Sequence, residues 1–264
     1  MQSIKRKKSG CVMKNVLVPL PCLGFDPSEA AIPWKILSHA GIKLTFITPD
    51  GNQSAPDPRM LNGRNLGIFR SILAARQDAV DACIEMQQCE EFKRPQPYNE
   101  VNADDFDALL LPGGHDKTVK DYLESPILQQ LVVKFFNQSK PVAAVCHGVL
   151  VAARSIDPAT KQSVIYDYQT TALLKSQERA GYHLTRLWLG DYYLTYPETT
   201  VEEEVKACLK SPSNFYQGKF ALFRDTPDKL ARGFIVKDRN YLSARWPGDI
   251  YNLSFEFRDM ILND

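Results

Sequence analysis

Short apolar runs that alternate with helical segments constrain the fold of this chain more than any other feature. The runs at 14–20, 108–111 and 142–145 are almost wholly apolar, which is typical of parallel strands buried on both faces of a sheet. Asp26 and Pro27 supply an N-cap and a first-turn proline for a helix that we expect to continue to about residue 40. A strand at 43–48 would then complete a βαβ unit.

The alternation resumes in the second half of the chain and again predicts parallel strands with covering helices. The pattern is less regular between about 155 and 220. We predict helices at 125–138, 147–154 and 171–180, a strand at 163–166, a terminal hairpin from 234–236 and 241–244, and a last helix after Pro247-Gly248-Asp249.

We interpret the chain as one α/β domain with a flavodoxin-like, doubly wound, mostly parallel sheet and helices on both faces. Its 264 residues are enough for one domain of this size with insertions. The alternation of strands and helices is interrupted at two places. One is about 52–100, where one helical stretch at 68–91 lies between loops, and the other is about 171–225. We predict that both segments are inserted caps, that 14–264 form the domain, and that the basic residues 1–13 form a solvated tail.

Composition and charge exclude several classes of function. A net charge of +1 gives no field that would attract nucleic acid or an anionic membrane, and no apolar run approaches the length of a membrane helix. We therefore expect a small-molecule substrate, no nucleic-acid or membrane partner, and a cytoplasmic location, and we leave a homodimer open. Cysteines 11, 22, 83, 89, 146 and 208 form no CxxC pair, which argues against zinc and favours reduced thiols.

The sharpest local signal is the strand at 142–145, which ends in Cys146 and His147 and runs directly into a helix. Such a nucleophile elbow exposes its side chain above the carboxyl ends of the strands, and the helix N-terminus stabilises a thiolate. A cysteine that only packs in the core is the alternative. His147 and a neighbouring glycine turn favour the functional interpretation.

That turn, Pro112-Gly113-Gly114-His115, follows the strand at 108–111. Parallel strands end at one edge of the sheet, so the backbone N–H groups of Gly113 and Gly114 could complete an oxyanion hole beside the thiol. His115 could line the pocket or could merely cap the next helix.

These motifs resemble those of the ThiJ/PfpI superfamily, which shares its fold with class I glutamine amidotransferases. The resemblance comprises an acid in the first helix-leading loop, a PGG turn and an elbow cysteine, matched here by Glu29, Pro112-Gly113-Gly114 and Cys146. It covers residues 14–51, 104–167 and 234–262.

The resemblance also implies roles for individual residues. Glu29 would lie beside the thiol and shuttle a proton, although an acid in a first helical turn can simply favour the helix. His147 would be the general acid/base unless it points to solvent, and Asp167 would orient it as a triad acid unless it caps a loop. Trp246 and Asp249 would wall the pocket, although tryptophan at such a position is more often in the core.

The glyoxalase branch of this family implies a cysteine enzyme, a lyase or hydrolase, that converts a 2-oxoaldehyde to a 2-hydroxy acid with no metal or other cofactor. Glutamine hydrolysis is not expected, because the stretch at 244–249, where amidotransferases of this fold need a histidine, has none. The alternatives are another thiol hydrolase or hydratase, a peptidase, and a non-enzymatic stress chaperone or Cys146 oxidant sensor.

Overall fold

The structure is a computed structural model that describes residues 13–219 and 223–263. Residues 1–12 of the predicted tail lie outside the described residues. The strands are β1 Asn15–Pro19, β2 Leu23–Phe25, β3 Lys43–Thr48, β4 Ala55–Pro56, β5 Gln96–Pro97, β6 Ala108–Leu111, β7 Val142–Val145, β8 Ile235–Asp238 and β9 Tyr241–Ala244. The α-helices are α1 Pro27–His39, α2 Pro58–Asn62, α3 Arg70–Leu73, α4 Gln77–Met86, α5 Glu90–Lys93, α6 Lys120–Leu123, α7 Pro126–Asn137, α8 Gly148–Arg154, α9 Lys175–Leu189, α10 Val201–Cys208 and α11 Ile250–Asn263.

One seven-stranded sheet organises the molecule, with strand order β5-β3-β1-β6-β7-β9-β8. All its pairs are parallel except the hairpin of β8 and β9. The chain winds from β1 to β3 in one direction and from β6 to β7 in the other. The point at which the winding direction reverses therefore lies between β1 and β6. A crevice opens beyond the carboxyl ends of the strands at such a point. The predicted doubly wound, mostly parallel sheet is confirmed.

The helices form a layer on each face of the sheet. In one layer α1 packs against α4 and α11, and in the other α8 packs against α7 and α10. Asp26 caps α1 as predicted, because its carboxylate accepts the N–H groups of Ser28 and Glu29 at 2.8 and 3.1 Å. Among the described helices, none has both the length and the apolar composition needed to cross a membrane.

The segment predicted as the first cap belongs partly to the core. The single helix expected at 68–91 is divided into α3, α4 and α5, because the backbone adopts an extended conformation at Ala74 and again at Cys89. The face of α4 that meets α1 is buried, and β5 pairs with β3 at the edge of the main sheet. Within 52–100, the residues of α4 and β5 therefore contribute to the core and to the edge of the sheet.

The prediction of a strand at 163–166 is also wrong. Ser163 makes only an isolated bridge with Ile156, and the next residues form tight turns in which the N–H of Tyr166 donates to the carbonyl of Ser163 at 2.9 Å. These backbone groups are satisfied locally, so no ladder forms. The helix expected at 171–180 starts later and runs further, as α9.

Candidate active site

The elbow cysteine lies where β7 passes into α8, with its backbone in a left-handed conformation. Its φ is +57°, which is strained for a residue with a side chain. The N–H of Cys146 donates to the carbonyl of Ala244 on β9 at 3.1 Å and fixes the turn. Gly148 follows because a β-carbon there would collide with the Leu111 and Pro112 carbonyl oxygens. This is the sharp strand-to-helix turn that the sequence predicts.

The thiol of Cys146 is fully buried and contacts the ring of His147. Its Sγ lies 3.4 Å from Nδ1 of His147, and the backbone N–H of His147 faces the sulfur. Burial raises the pKa of Cys146 well above its usual value, and the nearby carboxyls of Glu29 and Asp26 raise it further. The resting side chain is therefore a neutral thiol, not the thiolate that a helix N-terminus alone would favour.

Glu29 reaches the same point from the first turn of α1. Its Oε2 accepts the N–H of Gly113 at 2.8 Å, and its carboxyl lies near enough to the thiol of Cys146 for each group to influence the pKa of the other. Burial and the neighbouring Asp26 raise the pKa of Glu29 well above its usual value. Two neighbouring buried negative charges are costly, so Glu29 and Cys146 together retain at least one proton at neutral pH.

His147 is held by Thr195, a residue that the sequence analysis missed. The Thr195 hydroxyl donates to the carbonyl of His115 at 2.7 Å, and its Oγ1 lies 3.0 Å from Nε2 of His147. Since this hydroxyl has one proton, which it gives to His115, we assign the proton between Thr195 and His147 to Nε2. Nδ1 then presents its lone pair to the thiol. A buried threonine within the aromatic run at 192–196 was the only available signal.

Asp167, predicted as the acid that orients His147, lies elsewhere. Its side chain is 61% exposed and pairs with Arg239 at 3.3 Å. The prediction assumed a strand at 163–166 that would carry Asp167 to the active edge. The chain forms turns there instead, and Thr195 takes the position beside Nε2.

The glycine turn supplies fewer free donors than expected. The N–H of Gly113 is already engaged by Glu29, so its assignment to the oxyanion hole is wrong. Gly113 instead supports the site, since its carbonyl accepts the N–H of Asp26 at 2.9 Å. Gly114 packs tightly against the Gly24 carbonyl, and the proposed donors that remain are the N–H groups of Gly114 and His147.

His115 turns into the site, and the interpretation as a pocket residue is the one the structure supports. Its ring meets that of His147 edge-on, with centroids 5.3 Å apart, and burial lowers its pKa to about 4. His115 and Trp246 line a cavity of about 240 Å³, together with Asp26, Tyr193 and Arg224. Asp249 does not line this cavity; it forms a buried ion pair with Arg245 at 2.8 Å.

Three side chains of the site could also hold a soft metal ion. Potential ligand atoms of His115, Cys146 and His147 lie within 4.8 Å of one another. Neutral imidazoles and a cysteine sulfur suit zinc or copper(I). The expectation of a metal-free site came from the absence of sequence motifs, which cannot reveal ligands contributed by separate strands.

Several curated proteins are similar to part of this chain. An uncharacterised protein of Schizosaccharomyces pombe is 25% identical over 64% of this chain and 62% of its own length. The glutathione-independent glyoxalase hsp3102 of the same yeast is 24% identical over 59% and 62%. General stress protein 18 of Bacillus subtilis is 29% identical over 50% and 61%. The chain thus spans less than two thirds of each of these relatives.

Solved structures show the same fold over nearly the whole chain. Glyoxalase III of Candida albicans is 16% identical, with a TM-score of 0.67 and coverage of 94% of this chain and 97% of that one. Drosophila melanogaster DJ-1beta is also 16% identical, with a TM-score of 0.53 and coverage of 96% and 92%.

The family assignment rests on a broader match. The model of the ThiJ/PfpI family-like group matches residues 20–211, which include Glu29, the glycine turn, the elbow cysteine and Thr195. This chain belongs to the ThiJ/PfpI-like family.

Proposed function

We propose that this protein is a cysteine-dependent enzyme that converts a small 2-oxoaldehyde to the corresponding 2-hydroxy acid without glutathione. The observation that carries the proposal is the contact of the Cys146 sulfur with Nδ1 of His147 at 3.4 Å, with Thr195 fixing the other ring nitrogen. This geometry provides a nucleophile and the base that activates it.

The first step forms a hemithioacetal. The sulfur of Cys146 attacks the aldehyde carbon, C1, as its proton passes to Nδ1 of His147, and the C1 carbonyl electrons move to oxygen. The N–H groups of Gly114 and His147 would stabilise this oxygen until it receives the proton. Transfer during attack avoids a free thiolate, which is consistent with the raised pKa of Cys146.

The second step moves hydrogen from C1 to C2. His147 or Glu29 removes the C1 proton to give an enediolate, and the proton returns at C2, which leaves a thioester on Cys146. Water then attacks the thioester and releases the 2-hydroxy acid and the thiol. C1 is oxidised and C2 is reduced within one molecule, so the balance needs only water. The carboxyl of Glu29, with its raised pKa, is suited to carry a proton between these atoms.

One of the similar proteins has a name that states the proposed activity. The yeast protein hsp3102 is a glutathione-independent glyoxalase, and its similarity extends over more than half of this chain. The full burial of Cys146 favours a small substrate over a peptide, because a small aldehyde needs a much narrower opening in the covering segments to reach the sulfur.

The test is lactate formation from methylglyoxal, and glycolate formation from glyoxal, by purified protein without glutathione or added metal. We expect turnover by wild type and by Cys208→Ser, a control at a half-buried cysteine, and none by Cys146→Ser. Inactivity of wild type on both substrates would refute the proposal. In that case, a Cys146 sulfinate formed selectively by peroxide would favour the sensor alternative.

A further inference from the structure

The cavity beside the candidate active site has two chemically different ends. Its polar end is formed by Asp26, His115, Tyr193, Arg224 and Trp246. The rest of its wall is mainly apolar and comes from α2, α3, α9 and the loop before α9. These wall residues include Met60, Leu73, Leu173 and Leu184.

Three buried polar atoms at the polar end lack hydrogen-bond partners within residues 13–219 and 223–263. They are Nδ1 of His115, Oη of Tyr193 and Nε1 of Trp246. Buried polar atoms are normally paired, and unpaired ones call for a bound partner. Tyrosine and tryptophan can both donate here, so a ligand with acceptor oxygens would satisfy both.

The guanidinium of Arg224 at this end is already partly engaged by the protein. Burial raises the pKa of Asp26, and the nearby guanidinium of Arg224 opposes that rise. Arg224 also donates through Nη2 to the carbonyls of Ile72 and Ala74, both at 3.0 Å. Because Nη2 of Arg224 already donates to two backbone carbonyls and a buried carboxyl lies near the guanidinium, the cavity suits an uncharged ligand better than a phosphate or carboxylate.

The polar end is separated from the reactive thiol by the ring of His147. The ring of His115 contacts that of His147, which touches the Cys146 sulfur, and Asp26 is near enough to raise the pKa of that thiol. The sulfur itself does not line the cavity, so the aldehyde carbon of a ligand must pass His115 to reach it, while the other end of the ligand lies along the apolar wall.

The cavity is larger than the simplest substrate requires. At ~30 Å³ per water-sized unit, its volume of about 240 Å³ holds on the order of eight non-hydrogen atoms. Methylglyoxal would occupy little more than half of this space and would leave the apolar wall without contacts.

We propose that the preferred substrate is an uncharged 2-oxoaldehyde with a branched aliphatic or aromatic substituent larger than methyl. The inference rests on the proposed function for its chemistry, and on the cavity for its specificity. Isobutylglyoxal matches the estimated capacity, and phenylglyoxal would extend to the mouth, where Leu184 is 44% exposed.

The test compares kcat/KM for methylglyoxal, isobutylglyoxal and phenylglyoxal. We expect at least about a tenfold preference for isobutylglyoxal over methylglyoxal, the usual effect of apolar groups in a matching pocket. Ala180→Phe should reduce this ratio to near one, because Ala180 is an exposed α9 residue at the rim of the cavity and a phenyl ring there would fill it. His183→Phe, also exposed on α9 but not lining the cavity, should keep the wild-type ratio.

A second measurement separates this inference from the proposed function. Binding of acetophenone and acetone to Cys146→Ser, followed by ligand-observed NMR, reports the cavity without turnover. A preference for acetophenone that Ala180→Phe removes would support the ligand class even if no 2-oxoaldehyde is converted. Equal kcat/KM values for all three substrates, or equal binding of both ketones, would overturn the inference and leave the proposed function to its own test.

Discussion

At the residue scale, the main result is that a threonine, and not an acid, orients the candidate base. An acid beside Nε2 would favour the imidazolium, whereas the neutral hydroxyl of Thr195 only fixes the tautomer. Burial lowers the pKa of His147 well below its usual value, and His115 and Arg154 lower it further, so the ring is neutral at pH 7. A neutral ring with Nδ1 free can accept the thiol proton.

Thr195→Val should therefore reduce kcat by roughly 10²-fold, the scale of a misplaced catalytic group, because Nε2 would lose its acceptor. Thr195→Ser, which retains the hydroxyl, should restore most of the activity. Asp167→Asn should remain near wild type, since it removes only an exposed ion pair. Steady-state rates and their pH profiles measure these effects. Equal losses in Thr195→Val and Asp167→Asn would show that Thr195 does not position His147.

Glu29→Gln should lower the pKa of Cys146, because the carboxylate that repels the thiolate becomes neutral while the amide oxygen can still accept the Gly113 N–H. The pH dependence of Cys146 alkylation by iodoacetamide, followed by peptide mass spectrometry, measures this shift. Glu178→Gln, a buried carboxyl outside the site, is the matched control. An unchanged or higher pKa in Glu29→Gln would remove Glu29 from direct coupling with the thiol.

At the element scale, the sequence predicts the strands of the sheet better than the covering segments. The runs at 43–48, 108–111, 142–145 and 241–244 match strands residue for residue. Those at 108–111 and 142–145 are wholly apolar, as parallel strands buried on both faces require. The covering segments depend on contacts between distant parts of the chain. An example is the hydrogen bond between Tyr192 and Asp57, which no local sequence pattern indicates.

One such contact joins α9 to the start of α10 through the carboxyl of Glu178. Titration of this carboxyl makes the free energy of unfolding depend on pH. Glu178 accepts the N–H of Val201 at 3.1 Å, and burial raises its pKa to about 7. The folded state therefore binds a proton more tightly than the unfolded state. This contribution is fully present below pH ~4.5 and is lost as pH rises through about 7.

Glu178→Gln should remove this dependence. Relative to the variant, wild type should lose about 3 kcal/mol of unfolding free energy between pH ~4.5 and ~7, because folding raises the pKa of Glu178 from 4.5 to about 7. Urea unfolding of both proteins across this range measures the difference, and other titrating groups cancel in it. A constant difference would mean that Glu178 titrates normally in the folded protein.

At the scale of the whole molecule, the topology brings the candidate site together. The ends of β1, β6 and β7 lie next to one another, so the segments that follow them carry Glu29, the glycine turn and Cys146 to one crevice. This part was predictable because parallel strands share an edge. Thr195, Tyr193 and Arg224 could not be placed, because they reach the crevice from segments whose path is set by packing over the sheet.

The most direct test of the account is mass spectrometry of the protein quenched during turnover of a 2-oxoaldehyde. The account predicts an acyl adduct on the peptide that contains Cys146, absent without substrate and absent in Cys146→Ser, with its steady-state level raised or lowered in His147→Gln. An adduct confined to another cysteine such as Cys22 or Cys208, or hydroxy acid formed by Cys146→Ser at the wild-type rate, would contradict it.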